Sequence, residues 1–322
     1  MLVIIGATAA GSADISPAEV GLAWLNRLSG ISMVSAVGTI VMDIRLPRAL
    51  LAALVGAALA VAGAAYQGLF RNPLADPYLI GVAQGGALGA TAGFLIPGLA
   101  LAAGIWSIPL LAFAGGLMAA AVVYLVAKVG KTVPVTTLIL AGVALGALLS
   151  SVTSYLMIRA GDQLHGIVFW LMGRLSVGSW DQVAVVAPYA LVGITVLWFY
   201  ARPLNVMQLD DEQAQQLGIN VERVKLILLG AATLATAAAV AFCGIIGFIG
   251  IIVPHFVRLV WGPDHRFLIP LSALCGAIFL ILADTLARTV LAPVEVPVGV
   301  VTAVAGAPFF LWLLRRQKRM VF

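Results

Sequence analysis

The chain has 322 residues, of which 62% are apolar and 10% charged, and its net charge is +5. A soluble domain carries about 25% charged residues, and so few charges cannot cover the surface of a chain this long. The composition excludes a soluble enzyme, a nucleic-acid binder and a disordered chain. The charges also cluster: residues 49–70, 77–127, 132–158 and 226–257 carry none, in runs of 22, 51, 27 and 32 residues. A bilayer core of ~30 Å is crossed by roughly 20 apolar residues as helix, so the longest run predicts two spans. The fold class is all-α, a polytopic membrane protein. Cys243 and Cys275 lie in apolar runs without metal-ligand or CxxC spacing, and they say nothing about redox compartment.

In chain order, residues 1–11 are apolar but lack the basic leading region of a secretory signal. As helix they reach only ~16 Å. A full first span needs more chain, so the native start is expected about 15–25 residues upstream. Ser16-Pro17-Ala18-Glu19 fits a capping box with proline at the first helical position. It predicts a short amphipathic helix over 16–29, outside the bilayer. Spans are predicted near 46–70, 79–97, 105–127, 134–157, 182–201, 223–243, 245–262, 268–291 and 297–314.

Loop charges orient these spans. With Arg315, Arg316, Lys318 and Arg319 inside, alternation puts 12 of the 18 basic residues on the cytoplasmic side. That bias obeys the positive-inside rule, and Arg45, Arg48 and Arg288 fall outside. Within the second span Gly81, Gly85, Gly89 and Gly93 recur every four residues. They form a ridge on which another helix backbone can approach closely, either for packing within the subunit or for lining a substrate path. Gly244, Gly247 and Gly250 separate two spans and predict a tight re-entrant turn, because glycine weakens a helix interior.

Signals for enzymatic chemistry are weak. Gly130-Lys131-Thr132 resembles the end of a P-loop, but the required earlier glycine is Leu125 and no strand precedes it. His165, His255 and His265 are scattered over different loops, whereas a metal site needs clustered ligands. No catalytic residues, metal ligands or cofactor are predicted, and the chain is expected not to be an enzyme. Residues 205–220, NVMQLDDEQAQQLGIN, form the longest helix-prone cytoplasmic stretch, with Val206, Leu209 and Leu217 beside Asp210, Asp211 and Glu212. Such a loop is either simply solvated or a docking helix that passes motion from a partner ATPase into the spans.

Here a family resemblance becomes visible. Glu212-x-Ala214-x-x-x-Gly218 resembles the EAA signature of permease subunits in bacterial ABC importers. The wider pattern resembles the FecCD family, whose members move ferric siderophores, heme and cobalamin. Four further blocks carry it: residues 44–82, 138–150, 247–259 and 282–314.

The resemblance implies one permease domain over 1–322, with ten transmembrane helices of which the first is cut short here. It relates spans two to five to spans seven to ten by an inverted pseudo-repeat. It implies a homodimer in the inner (cytoplasmic) membrane, two cytoplasmic ATPase subunits, and one periplasmic or lipid-anchored substrate-binding protein. The coupling residues are then Leu209, Asp210, Asp211, Glu212, Ala214, Leu217 and Gly218. Asn72 and Leu74 match a cytoplasmic gate, and Thr136 and Thr137 lie near a second one. Arg45 and Arg288, with Arg48 beside them, match positions that meet glutamates of the binding protein. Asp284, four residues before Arg288, could instead pair with it. The expected cargo is an iron chelate, siderophore or heme, with cobalamin as the alternative. A secondary transporter would also use inverted repeats and broken helices, but it needs an intramembrane ion-coupling carboxylate, for which Asp284 is the nearest candidate. A structural membrane scaffold would not need the EAA-like loop.

Overall fold

Each charge-free run holds at least one helix. The computed structural model describes residues 1–11, 15–29, 35–96, 98, 104–175 and 179–318. Arg319 lies outside the described residues. A short α1 (Leu2–Ala9) precedes α2 (Pro17–Leu28). The Ser16 amide donates to Glu19 Oε2 at 2.9 Å, and the Glu19 amide donates to Ser16 Oγ at 3.3 Å. This reciprocal cap satisfies two amides that a helix start leaves free. Those bonds from the Ser16 amide and hydroxyl hold the Glu19 carboxyl below its usual range.

The fold is built around α3 (Ala36–Leu69). All residues from 55 to 70 are buried, the signature of a helix that is apolar all round. Helices α8 (Trp180–Phe199), α11 (Val221–Cys243), α12 (Ile249–Trp261) and α13 (His265–Thr289) surround it. Small residues set how close they come: Gly56 of α3 lies on Gly276 of α13, and Gly63 lies on Gly250 of α12. A second layer pairs α4 (Val82–Leu95) with α5 (Ser107–Ala127), and α6 (Val135–Ile158) lies across both. Short helices α7 (Leu164–Leu171), α9 (Ala201–Val206) and α10 (Asp211–Gln216) sit in connections, and α14 (Val298–Lys318) ends the described chain. Among the described residues six helices are long and apolar enough to cross a membrane, and the shorter apolar helices Ile249–Trp261 and Val298–Leu311 accompany them.

All nine predicted spans have a helix, but two are short. Helices α4 and α12 have 14 and 13 residues, about 20 Å each at 1.5 Å per residue. In both cases the chain reaches the helix through irregular backbone: residues 70–81, with a 3₁₀ turn at Pro77–Ile80, and residues 244–248. Gly250 is therefore not part of the turn, contrary to the reading of the glycine triplet. The turn uses Gly244 (φ 68°) and Phe248 (φ 70°). Gly250 is small for another reason: a methyl there would meet the Pro77 ring and the Leu59 carbonyl.

Irregular backbone at membrane depth must find partners in protein, and here the two interruptions supply each other. The Tyr78 hydroxyl, from the first, donates to the Ile246 carbonyl at 2.9 Å and accepts from the Ile246 amide at 3.2 Å. Gln67 Nε2 donates to the Gly250 and Ile251 carbonyls at 3.1 and 3.2 Å. Arg258 Nη1 completes that amide by donating to Gln67 Oε1 at 2.8 Å. This contact explains the glycine at 63, where a Cβ would fall on the Gly250 carbonyl. Gly63→Ala should cost about 1–3 kcal/mol, the usual range for an overpacked core. Gly230→Ala, in α11 with nothing within 4 Å of the added carbon, should not lower the melting temperature of the purified protein and gains up to about 1 kcal/mol of helix propensity. Equal melting temperatures for the two variants would contradict this packing account.

Candidate functional site

One end of the bundle gathers the connections 70–76, 128–134, 205–220 and 262–264. Helix α10 begins at Asp211 after an extended Asp210. It ends where the Gly218 amide donates to the Gln215 carbonyl at 2.9 Å and the Ile219 amide to the Ala214 carbonyl at 3.0 Å. Gly218 has φ +84°, the left-handed position where a side chain is disfavoured. Ala214 is buried, while Glu212 is exposed and Leu209 and Leu217 are 46% and 64% exposed. The loop thus presents two leucines and a carboxylate outward and seats itself on one alanine.

The loop is held from below by charge. Arg71 Nε donates to the Met207 carbonyl at 2.9 Å, and its Nη2 reaches Asp211 Oδ1 at 2.6 Å. Arg71 Nη1 lies 3.4 Å from Asp210. Lys225 Nζ bridges Asp211 Oδ2 at 2.8 Å and Glu222 Oε1 at 3.1 Å. Glu222 Oε2 accepts from the Val133 amide at 2.9 Å. Gln208 Nε2 donates to the Gly68 carbonyl at 2.9 Å. The candidate gate residues flank these contacts. Asn72 follows Arg71, and its Oδ1 accepts from the Leu74 amide at 3.0 Å. Thr136 is exposed, and the Thr137 hydroxyl donates to the Ala127 and Pro134 carbonyls, both at 2.9 Å. Arg71, Lys225 and Glu222 went unnoticed in the sequence, where they read only as loop charges.

At the α12–α13 corner Asn205 Nδ2 donates to Asp264 at 2.7 Å, and Asn205 Oδ1 accepts from the His265 amide at 2.9 Å. Arg266, then Asn205, hold the Asp264 carboxyl well below the usual carboxylate range. His265 is thus a buried corner residue. Among the described residues no group of three potential metal ligands occurs.

At the opposite end the three arginines have internal partners. Arg45 Nη1 donates to the Thr8 and Ala9 carbonyls at 3.0 Å, and Arg288 donates to the Ala7 and Ala10 carbonyls at 3.2 Å. They cap the carbonyls that the end of α1 leaves free, where a cation is also favoured by the helix dipole. Arg48 grips Asp284, with Nη2 to Oδ1 at 2.9 Å, and Glu295, with Nη1 to Oε1 at 3.0 Å. Arg288 Nε lies 3.1 Å from Asp284 Oδ2. Asp284 therefore sits between two guanidinium groups, which is why a carboxylate is tolerated in α13. A six-residue π-helical stretch, Ile40–Arg45, precedes this cluster in α3, and the Met42 carbonyl it frees accepts from Trp180 Nε1 at 3.2 Å. The glycine ridge faces inward: Gly85 lies on the Gly115 carbonyl, Gly89 on that of Leu111, and Gly93 on Ile108. Gly81, with φ +81°, precedes α4 as a turn residue.

Comparison with known proteins accounts for this layout. The sequence matches the FecCD transport family over residues 1–316. The chain belongs to this family. It is 49% identical to the cobalamin import system permease protein BtuC of Halobacterium salinarum, over 87% of this chain and 74% of that one. It is 41% identical to the hemin transport system permease protein HmuU of Yersinia pestis, over 99% and 95% of the two chains. Its fold is similar to that of a metal-chelate type ABC transporter solved in an inward-facing conformation. The TM-score is 0.82 at 28% identity, covering 98% of this chain and 95% of the other.

In this FecCD chain the two carboxylates that Arg48 grips differ in how much water they keep, which decides their energetics. Asp284 is 2% exposed, while Glu295 keeps 48% of its side-chain surface. Removing one partner of a buried pair strands a charge at about 3–5 kcal/mol, whereas an exposed pair contributes about 1 kcal/mol or less. Asp284→Asn should therefore lower the melting temperature far more than Glu295→Gln. Equal shifts would show that Asp284 is hydrated.

Proposed function

We propose that the chain is the permease subunit of an ABC importer that moves an iron chelate, siderophore or heme, across the cytoplasmic membrane. The observation that carries this reading is the 205–220 loop. Around its six-residue helix it exposes Leu209, Glu212 and Leu217 on the basic-rich face of a bundle that belongs to the FecCD family. The partners proposed are a second copy of the chain, two cytoplasmic ATPase subunits, a periplasmic or lipid-anchored binding protein and the bilayer. Nucleic acid is not among them. Cobalamin is the second reading, favoured by the 49% identity to a permease named for it. Uptake into proteoliposomes holding the permease, its ATPase and its binding protein tests both. ATP-dependent accumulation of ferric siderophore or heme supports the first, and accumulation of cobalamin alone replaces it with the second.

Docking of the ATPase supplies a sharper test. A carbon added at Gly218 meets nothing within 4 Å, so the cost of Gly218→Val lies in its backbone, about 1–2 kcal/mol for a side chain in the left-handed region. Gly218→Val and Glu212→Lys should each reduce co-purification of the ATPase at least tenfold while the permease still inserts. Undiminished co-purification in both would remove the loop from the interface.

On the other face, Arg45 and Arg288, 5% and 6% exposed beneath α1, and Arg48, held by Asp284 and the exposed Glu295, are proposed to meet carboxylates of the binding protein, Arg45 and Arg288 by giving up the α1 carbonyls. A carboxylate offers two charged oxygens where the α1 carbonyls offer neutral ones, and an arginine fork favours the former. Arg45→Gln and Arg288→Gln keep a donor for α1 and remove the charge. They should slow association of the loaded binding protein several-fold at low salt, since such charges act mainly on encounter. Association rates equal to those of the parent would exclude docking through these residues.

A further inference from the structure

The contacts of Asp211 reach beyond the loop that contains it. Its two oxygens face different parts of the molecule: Oδ1 takes Arg71 at 2.6 Å, and Oδ2 takes Lys225 at 2.8 Å. Arg71 begins the segment that holds Asn72 and Leu74. Lys225 passes the connection to Glu222, and Glu222 accepts from the Val133 amide at 2.9 Å, three residues before Thr136. A single carboxylate thus ties α10 to both candidate gate segments.

Two further observations mark this arrangement as more than surface decoration. Exposed ion pairs contribute little because water competes for both partners. Arg71 and Asp211 keep 36% and 43% of their side-chain surface, but Lys225 keeps only 7%. Its ammonium group has little water to exchange for Asp211 and shares itself between Asp211 and Glu222. Arg71, a non-glycine residue, also has φ +48°. The Arg71 and Asn72 amides, on the Gly68 and Gln67 carbonyls at 3.2 and 3.1 Å, close the end of α3 in that conformation, and the Met207 carbonyl, Asp210 and Asp211 then hold the Arg71 side chain. Within α10 itself only Ala214 is buried, and a helix of six residues is not stable alone. The loop therefore depends on these contacts for its position, with Gln208 as a second tie to the end of α3.

We propose that Asp211 is a positioning residue that fastens the coupling loop to both gate segments at once. Through Arg71 it moves residues 71–74, and through Lys225 and Glu222 it moves the start of α6. This rests on the reading of the loop as the ATPase contact. Without the carboxylate, Arg71 and Lys225 repel each other across the gap and each segment follows the loop less closely.

Distances between spin labels test the linkage in the isolated permease, with Cys243→Ala and Cys275→Ala as background. One pair joins Gln216→Cys to Leu74→Cys, and the other joins Gln216→Cys to Lys131→Cys. Asp211→Asn should at least double the width of both distance distributions. Arg71→Met should widen only the first and Glu222→Ala only the second, a selectivity that general loosening would not produce. In the assembled transporter, Asp211→Asn should lower the chelate moved per ATP hydrolysed at least tenfold, and Asp211→Glu should restore it to within threefold. Unchanged widths, equal widening of both pairs by each single-arm variant, or an unchanged transport ratio would overturn the proposal. Selective widening together with a parent complex that moves no chelate would support the linkage and overturn the permease reading instead.

Discussion

A peptide group that leaves a helix inside a bilayer has no water to turn to, and the centre of this fold is organised by that constraint. Two spans are interrupted, at residues 70–81 and 244–248, and each break exposes amides and carbonyls where none can be left unpaired. Tyr78 answers one break from the other, and Gln67 answers the carbonyls at the start of α12 with its own oxygen satisfied by Arg258. The donors can reach only if backbones nearly touch, hence Gly63 against Gly250. The alanine- and glycine-rich sequence of α3 follows from the same requirement, because larger residues would hold α12 out of hydrogen-bonding range.

Charge is handled differently at the two ends, and exposure decides how. Asp284 is buried and compensated on both sides by arginine, so its desolvation is offset by charge and by several hydrogen bonds. An ion-coupled secondary transporter needs a carboxylate open to its ion, whereas both oxygens of Asp284 face arginines. At the end that carries residues 205–220, Asp211 keeps 43% of its side-chain surface and its buried partner is Lys225. A lysine stem can pack among apolar side chains while its ammonium reaches the surface network. The outer cluster is therefore rigid by burial, and the inner one is fixed at a single point with solvent on its other side.

The span pattern was legible because membrane helices are local: each of the nine stretches named from charge gaps contains a helix. The capping box was legible for the same reason, since Ser16 and Glu19 are three residues apart. What the sequence hid are partners distant along the chain. Arg71 and Asp211 are 140 positions apart, and Arg48 and Asp284 are 236 apart. In one dimension Arg71 is only one more cytoplasmic charge. The glycine triplet misled for a related reason: Gly244 serves a turn and Gly250 a close approach, and spacing cannot tell these uses apart. Arg288 lies 278 positions from Ala10, whose carbonyl it caps, and its place beside α1 could not be read from spacing.

Helix α3 is where these arrangements meet. Its Leu46–Leu69 segment has 24 residues, about 36 Å long at 1.5 Å per residue. Arg45 and Arg48 lie at one end, and Arg71 lies two residues past the other. Between them the helix touches its neighbours through backbone at Gly56 and Gly63, contacts that leave no side chain to change rotamer and absorb a displacement. Packed interiors transmit strain because they have few voids to collapse into, and α3 is buried along most of this length. A shift imposed at Arg71 must then be taken up either in the irregular residues 70–81 or by α3 moving as a body against α12 and α13. The first is cheaper, since the irregular segment is held by a few hydrogen bonds and the second would break the Gln67 and glycine contacts together. Motion entering at Arg71 is thereby confined to residues 70–81, while the arginine cluster at the far end keeps its geometry.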